Sequence, residues 1–224
     1  MALLNTLTAI TSWLVLTTFV PLAVLPYART STVMALLFFN NLNSLIAICE
    51  IILGVRIRTI QADYRKLQEK YKGKEAEGCV AYLFQPMPNV FDSRPWSQMW
   101  ASYALLDPSY QNQESFGFFV DFGNGMSTIL PCLLWNYAMA YPDSVSPLLV
   151  GCVGLASYWQ ILYGTLVYWL SYWFNERYKG RTVAEVVGFI GCTNGFWVVF
   201  PIYGIRIAVI ILRDGNLDVF QSFA

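Results

Sequence analysis

The chain has 224 residues, of which 56% are hydrophobic and only 12% carry a charge. A soluble globular domain carries about 25% charged residues, so the composition argues against a soluble protein and indicates a membrane protein. Lysine and arginine together number 14, as do aspartate and glutamate. The resulting zero net charge gives no reason to expect nucleic acid as a partner.

Histidine is absent, and the cysteines lack a metal-binding spacing. Without histidine the chain has no His-based metal site, general base or proton relay. The five cysteines show no C-x-x-C spacing, and four of them lie within apolar stretches, which favours a packing role. The sequence therefore predicts neither a metal site nor a cofactor.

Five apolar stretches are long enough to cross the hydrocarbon core of a bilayer, which takes ~20 helical residues. They lie near 7–26, 33–55, 116–141, 147–174 and 184–212. No lysine or arginine precedes the first stretch, which argues against a signal peptide and for a retained span. The pattern predicts an all-α fold, a five-helix transmembrane bundle that forms a single membrane domain over 1–224.

Basic residues near the span ends predict the orientation of this bundle. With five spans, the N-terminus, the 56–115 loop and the 175–183 loop share one side, and most lysines and arginines lie on it. The other side has only Arg29 and Arg213, with Arg206 near the end of the fifth span. Because cytosolic flanks are rich in lysine and arginine, the N-terminus and the long loop are expected on the cytosol-like side.

The 56–115 extramembrane loop has two parts. From Arg56 to about Tyr71, apolar residues recur at spacings of three and four between charged ones, which predicts an amphipathic helix. The stretch from Cys79 to Trp96 is apolar but interrupted by prolines, so it is too short and broken to span a membrane. This stretch is expected either to lie on the membrane surface or to dock on a protein partner, which makes 56–96 a candidate docking surface.

Three acidic residues fall within the predicted spans, where an ionised group costs roughly 2.5–3.5 kcal/mol at the helix centre. Glu185 lies at the margin of the fifth span and can reach water, which leaves Glu50 and Asp121. Glu50 shares a helical face with Asn43, and Asp121 shares one with Asn124 and Thr128. A polar stripe on a helix in lipid is expected to face the bundle interior, so both carboxyls could line one cavity. The alternative is that these side chains only form hydrogen bonds between helices.

The fifth span carries Asn194 and Trp197 on one face. An indole ring beside a carboxyl in an apolar pocket can stabilise a cation. Ordinary aromatic packing is the alternative interpretation of the same tryptophan.

The segment 97–110 reads S-Q-M-W-A-S-Y-A-L-L-D-P-S-Y. It resembles the S-Q-L-W-x-x-Y-A-x-x-D-x-x-Y stretch of the sterol-isomerase-like EXPERA family, the family of emopamil-binding protein. Continuing without a gap, Asp121 falls on the catalytic-site glutamate of that family. Glu50 matches the glutamate of its second helix.

Two further motifs carry the same resemblance. Tyr163 and Gly164, followed by Tyr168, match the family pattern Y-G-x-x-x-Y. In the fifth span, C-T-N-G-F-W-V-V-F-P is similar to the family's M-N-A-L-W-L-V-L-P and aligns Asn194 and Trp197. The resemblance extends over all five spans.

The resemblance implies a five-helix bundle around an apolar sterol cavity, in the endoplasmic reticulum membrane. Isomerases of this family move a ring double bond from Δ8 to Δ7, so one group must protonate the alkene and another must remove a neighbouring proton. By transfer, Glu50 and Asp121 would be this catalytic pair, and Trp197 would stabilise the carbocation. The other ligand-binding residues that the resemblance implies are Asn43, Asn124, Tyr163 and Asn194.

The chain departs from the family pattern at positions that matter for catalysis. Ile46 stands where the family has a histidine, Asp121 is one methylene shorter than the family's glutamate, and Thr165 replaces an acidic residue. An error of an ångström in position can cost ~10²-fold in rate. The loop between the second and third spans is also much longer than the family's.

Three functions are therefore open. The first is a non-catalytic protein that holds a sterol or other lipid, or serves as an accessory subunit of a respiratory or photosynthetic complex in an organelle inner or thylakoid membrane. The second is an active sterol Δ8–Δ7 isomerase that uses the intramembrane carboxyls. The third is a transporter or channel, although the sequence shows no inverted repeat.

Overall fold

A computed structural model describes residues 4–113 and 115–221 of the chain. Over these residues the fold is entirely helical, and the only β-type pairing is an isolated antiparallel bridge between Asn5 and Pro86. The helices are α1 Thr6–Val24, α2 Ser31–Val55, α3 Ile57–Lys70, α4 Glu75–Leu83, α5 Ser93–Tyr103, α6 Phe116–Ala140, α7 Pro147–Phe174 and α8 Val183–Asp214. Short 3₁₀ turns occupy Pro108–Gln111, Pro142–Ser144 and Asp218–Phe220.

Local sequence signals explain several of the helix boundaries. Asn5 caps α1 by accepting a hydrogen bond from the backbone N–H of Thr8, and Thr30 caps α2 in the same way. Pro147 begins α7, where its missing N–H needs no partner. Gly215 ends α8 with φ of 67°, a left-handed conformation that glycine adopts without steric cost.

Helices α1, α2, α6, α7 and α8 are long and apolar enough to cross a membrane. They coincide with the five predicted spans to within a few residues at each end. Large apolar side chains such as Leu130 and Val199 are exposed on their outer faces. In a membrane these surfaces contact lipid, as expected for a multi-pass integral membrane protein.

The second span, α2, is the centre of the bundle. In its most apolar stretch 67% of the residues are buried, against 11% in α1. Helix α2 packs mainly on α6, α8 packs mainly on α7, and the contact between α6 and α7 joins the two pairs. Helix α1 lies at the periphery of the bundle.

Buried asparagines tie α2 to its neighbours. Asn40 donates to the side chain of Asn136 at 3.0 Å, and Asn136 donates in turn to Asn41 at 2.9 Å. The Tyr158 hydroxyl donates to Asn40 at 2.8 Å. Hydrogen bonds of this kind between polar side chains are common between the helices of membrane bundles.

The segment between α2 and α6 folds back onto one end of the bundle. Helix α3 buries Ile60 and Tyr64 in the same apolar cluster as Leu53 of α2, so the predicted amphipathic helix lies against the protein. Met87 and Trp96, from the proline-containing stretch, are buried in that cluster as well. We call α4, α5 and the 3₁₀ turn Pro108–Gln111 the cap.

The cap and the start of α1 lie at the same end of the bundle. The backbone N–H of Thr6 donates to the carbonyl of Gln85 at 3.2 Å, just beyond α4. This agrees with the two spans, α1 and α2, that separate the N-terminus from the cap and return the chain to the same end. The assignment of this end to the cytosol-like side stays a prediction.

Candidate functional site

A cavity of about 330 Å³ lies beneath the cap, between α2, α6, α7 and α8. Its volume falls within the range of about 300–1,000 Å³ that is usual for ligand pockets. The lining is mainly apolar and aromatic, with a small number of polar groups. The span residues that line it are Ile46, Glu50, Val120, Asp121, Asn124, Gly164, Thr165, Tyr168, Phe189, Thr193, Asn194 and Trp197.

Glu50 and Asp121 both line this cavity, one from α2 and one from α6. Their carboxyl groups are near enough to interact electrostatically. Among the described residues none donates a hydrogen bond to Glu50, whereas the Tyr110 hydroxyl of the cap lies beside Asp121. The two carboxyls identified from the sequence therefore face one shared space.

Trp197 lines the cavity, and its indole ring is fixed by a hydrogen bond to Asn43. The indole N–H of Trp197 donates to Asn43 Oδ1 at 2.9 Å. Asn43 Nδ2 in turn donates to Thr128 Oγ1 at 3.1 Å and lies 3.5 Å from Cys132 Sγ. Asn43 is 4% exposed and does not border the cavity, and it is connected to the cavity wall through Trp197.

Asn194 reaches the cap. Its Nδ2 atom donates to the Tyr103 hydroxyl at 3.1 Å and to the backbone carbonyl of Ile190 at 3.0 Å. Burial raises the pKa of Tyr103 and of Tyr110, so both phenols remain protonated at physiological pH. The amide of Asn194 thus joins α8 to α5 at the edge of the cavity.

Asn124 borders the cavity and also accepts a hydrogen bond from the outer surface of the bundle. Its Oδ1 atom accepts from Gln160 Nε2 at 2.9 Å, and the same Gln160 nitrogen donates to Ser127 at 2.7 Å. Gln160 of α7 and Ser127 of α6 are both exposed on the outer faces of their helices. Asn124 is therefore one residue from the membrane-facing surface.

Tyr163 lies apart from the other predicted site residues. Its side chain is 53% exposed on the outer face of α7, next to the ring of Trp159, and it does not border the cavity. Its neighbours Gly164 and Thr165 do border it, because adjacent residues of a helix point in directions about 100° apart.

A buried ion pair fastens the cap to the end of α7. Asp107 has no exposed side-chain surface and accepts two hydrogen bonds from Arg177, both at 2.9 Å. It also accepts from the Tyr168 hydroxyl at 2.8 Å and caps the 3₁₀ turn through the backbone N–H of Ser109 at 3.0 Å. The aspartate of the 97–110 motif is thus a structural anchor.

Sequence reasoning did not assign the cap residues that line the cavity. Helix α4 contributes residues from the stretch that was expected on the membrane surface or against a partner, and α5 contributes the middle of the 97–110 motif. The apolar run at 79–84 signalled burial, but nothing in its spacing showed what would cover it. These cap residues are Cys79, Val80, Tyr82, Leu83, Met99, Trp100, Ser102, Tyr103 and Tyr110.

The arrangement suits an apolar ligand with few polar contacts. Aromatic rings and hydrocarbon side chains supply most of the wall, while two carboxyls, two asparagines and several hydroxyls supply the directional groups. The carboxyls could also exchange protons with a bound alkene. Comparison with known proteins identifies no matching family model, curated protein or solved structure.

Proposed function

We propose that this protein holds a sterol or a similar ring lipid in the cavity beneath the cap, without catalysing its conversion. The observation that carries the proposal is the apolar cavity beneath the cap, which Glu50, Asp121 and Trp197 all line. Ile46 also borders the cavity, and its apolar side chain stands where the resembling family has a histidine. A binding role needs the cavity, whereas isomerisation also needs a complete set of proton-transfer groups.

The contacts among the resemblance motifs support this proposal. Tyr103 of the 97–110 motif bonds to Asn194 of the fifth-span motif, and Asp107 bonds to Tyr168 of the Y-G-x-x-x-Y motif. Three motifs that are distant in the sequence thus converge on one cavity. Membership of the EXPERA family, with its sterol-binding bundle, is part of the proposal.

Filling the cavity is expected to weaken sterol binding. Thr165 is 9% exposed and borders the cavity, so Thr165→Phe places a ring in the ligand space. We expect the affinity of the purified protein in detergent for a tritium-labelled Δ8 sterol to fall about tenfold or more, or 1.4 kcal/mol. The matched control is Leu166→Phe, because Leu166 is 40% exposed on the outer face of the same helix. Equal binding by both variants would contradict the assignment of the cavity.

An active Δ8–Δ7 isomerase is the second candidate. It is favoured by the placement of Glu50 and Asp121 in one space, where one could donate a proton to the alkene and the other could accept the neighbouring proton. Trp197, also at the cavity wall, would stabilise the intermediate cation. No net consumption of protons or electrons is required.

Complementation separates the two candidates. Cells that lack their own Δ8–Δ7 isomerase, supplied with this protein, are expected to continue to accumulate Δ8 sterols if the protein only binds. If Δ7 sterols appear in mass spectra, the isomerase candidate is correct, and Glu50→Gln and Asp121→Asn should each reduce their formation by about 100-fold or more. Expression in the membrane must be verified for every variant.

An accessory-subunit role in a larger complex is compatible with lipid binding. Most of the 56–96 segment packs on the bundle, but Phe84 and Phe91 are 60% and 94% exposed beside the cap. Such rings suit contact with a membrane surface or with a protein partner. The partner and the organelle stay predictions from the sequence.

A further inference from the structure

Three polar side chains lie on the lipid-facing surface of α7, close to its midpoint. They are Trp159 and Tyr163, which are 56% and 53% exposed, and Gln160, which is exposed as well. Helix α7 spans Pro147–Phe174, so all three lie within one helical turn of its centre. Tryptophan and tyrosine on a lipid-facing surface usually lie at the membrane–water interfaces instead, where water completes their hydrogen bonds.

These side chains leave hydrogen-bonding groups without a partner. The Gln160 amide nitrogen donates to Asn124 Oδ1 at 2.9 Å and to Ser127 Oγ at 2.7 Å, which uses both of its N–H groups. Over residues 4–113 and 115–221, no group donates to Gln160 Oε1, and neither the Trp159 indole N–H nor the Tyr163 hydroxyl has a hydrogen-bond partner. One turn of α7 thus presents two unsatisfied donors and one unsatisfied acceptor.

Lipid cannot satisfy these groups. Hydrocarbon tails supply neither donors nor acceptors, so an unpaired polar group in the bilayer core carries a free-energy penalty. Polar side chains in a span therefore commonly form hydrogen bonds with a neighbouring helix. No helix of the described chain covers Trp159 or Tyr163, since more than half of each side chain is exposed. The exposed set indicates a helix that a single copy of the chain does not supply.

We propose that this face of α7 is the contact surface for a second copy of the chain, with Trp159, Gln160 and Tyr163 at its centre. Two copies inserted in the same orientation are related by a two-fold axis perpendicular to the membrane, so identical residues lie at identical depths. The set is self-complementary, because the indole N–H and the phenol of one copy are donors for Gln160 Oε1 of the other copy. An unrelated helix would need its own donors at this depth, whereas a second copy brings them.

The test is energy transfer between copies of the wild-type protein that carry donor or acceptor fluorophores on an added tag. The protein is reconstituted in phosphatidylcholine vesicles over a range of protein-to-lipid ratios. We expect the transfer to rise with this ratio as a monomer–dimer equilibrium requires. Transfer no greater than random proximity predicts, at every ratio, overturns the second copy. A protein that is monomeric in vesicles but is isolated from its own membrane with another membrane protein also overturns it, because a different helix would then cover this face.

The double variant Trp159→Phe, Tyr163→Phe removes both donors and keeps an aromatic ring at each position. No hydrogen bond within the described part of the chain is lost, so the helical content of the monomer should not change. We expect the dissociation constant of the dimer to rise about tenfold or more, since Gln160 of each copy loses its donors. The matched control is Tyr141→Phe, which removes a 39% exposed phenol just beyond the end of α6, where water can satisfy it. A double variant that dimerises as tightly as Tyr141→Phe overturns the proposal.

Discussion

Replacing Arg177 by leucine is expected to lower the free energy of unfolding by about 3–5 kcal/mol, because it leaves the fully buried carboxylate of Asp107 without its ionic partner. The guanidinium also lies over the ring of Tyr172, 5.4 Å from its centroid. The ion pair holds the cap against the end of α7, and the ring contact fixes the guanidinium beside that end. Unfolding by SDS in mixed micelles, followed by circular dichroism, measures the loss.

The matched control for this prediction is Lys179→Leu. Lys179 pairs with Glu176 on an exposed loop, and exposed pairs of this kind contribute only about 0–1 kcal/mol. Adding Asp107→Asn to Arg177→Leu should recover part of the lost stability, since the unpaired charge is then removed while an acceptor for Tyr168 remains. An Arg177→Leu variant as stable as the Lys179→Leu variant would show that the ion pair does not anchor the cap.

The spans were the part of the fold that the sequence predicted best. A bilayer-crossing helix must be apolar over its whole length, so a local property of the chain marks both its position and its approximate ends. The differences are confined to a few residues, as at the end of α8, which extends to Asp214. Polar residues such as Arg213 obscure these ends because they can lie at the interface.

The cap could not be predicted in the same way. Its helices depend on contacts with distant parts of the chain, such as the hydrogen bond from the Trp100 indole to the carbonyl of Cys49 at 2.6 Å. Another is the bond from Arg181 to the carbonyl of Leu105 at 2.5 Å. The apolar character of 79–84 was visible in the sequence, but burial against the protein and burial against lipid or a partner require the same residue types.

The candidate site shows the same division. Helical spacing placed Glu50 and Asp121 on inward-facing stripes, and the structure brings them to one cavity. Spacing could not show that the side-chain amide of Asn43 forms hydrogen bonds with Thr128 and Trp197. These bonds depend on which helices lie opposite Asn43. Tyr163 was predicted as a ligand-binding residue only because it matches a motif. Its neighbours Gly164 and Thr165 border the cavity.

Replacing Gly125 by alanine is expected to separate α2 from α6 at the position of Glu50. A Cβ atom on Gly125 would lie 2.8 Å from the carbonyl oxygen of Ala47 and 2.8 Å from Glu50 Cβ. Atoms of the α2 backbone cannot rotate away as a flexible side chain could, so the helices must shift. We expect a loss of about 1–3 kcal/mol in the free energy of unfolding, together with weaker sterol binding because the same shift moves a cavity wall.

Gly123 provides the matched control on the same helix. A Cβ atom there would meet no other atom within 4 Å, so Gly123→Ala should leave the stability unchanged or raise it by up to about 1 kcal/mol through helix propensity. Both variants make the same chemical change two residues apart in α6, so the difference between them isolates the contact with α2. If Gly125→Ala were as stable and bound sterol as tightly as Gly123→Ala, the close approach of the two helices would not shape the cavity. A loss of binding in Gly125→Ala alone would instead show that the α2–α6 contact sets the position of Glu50 in the site.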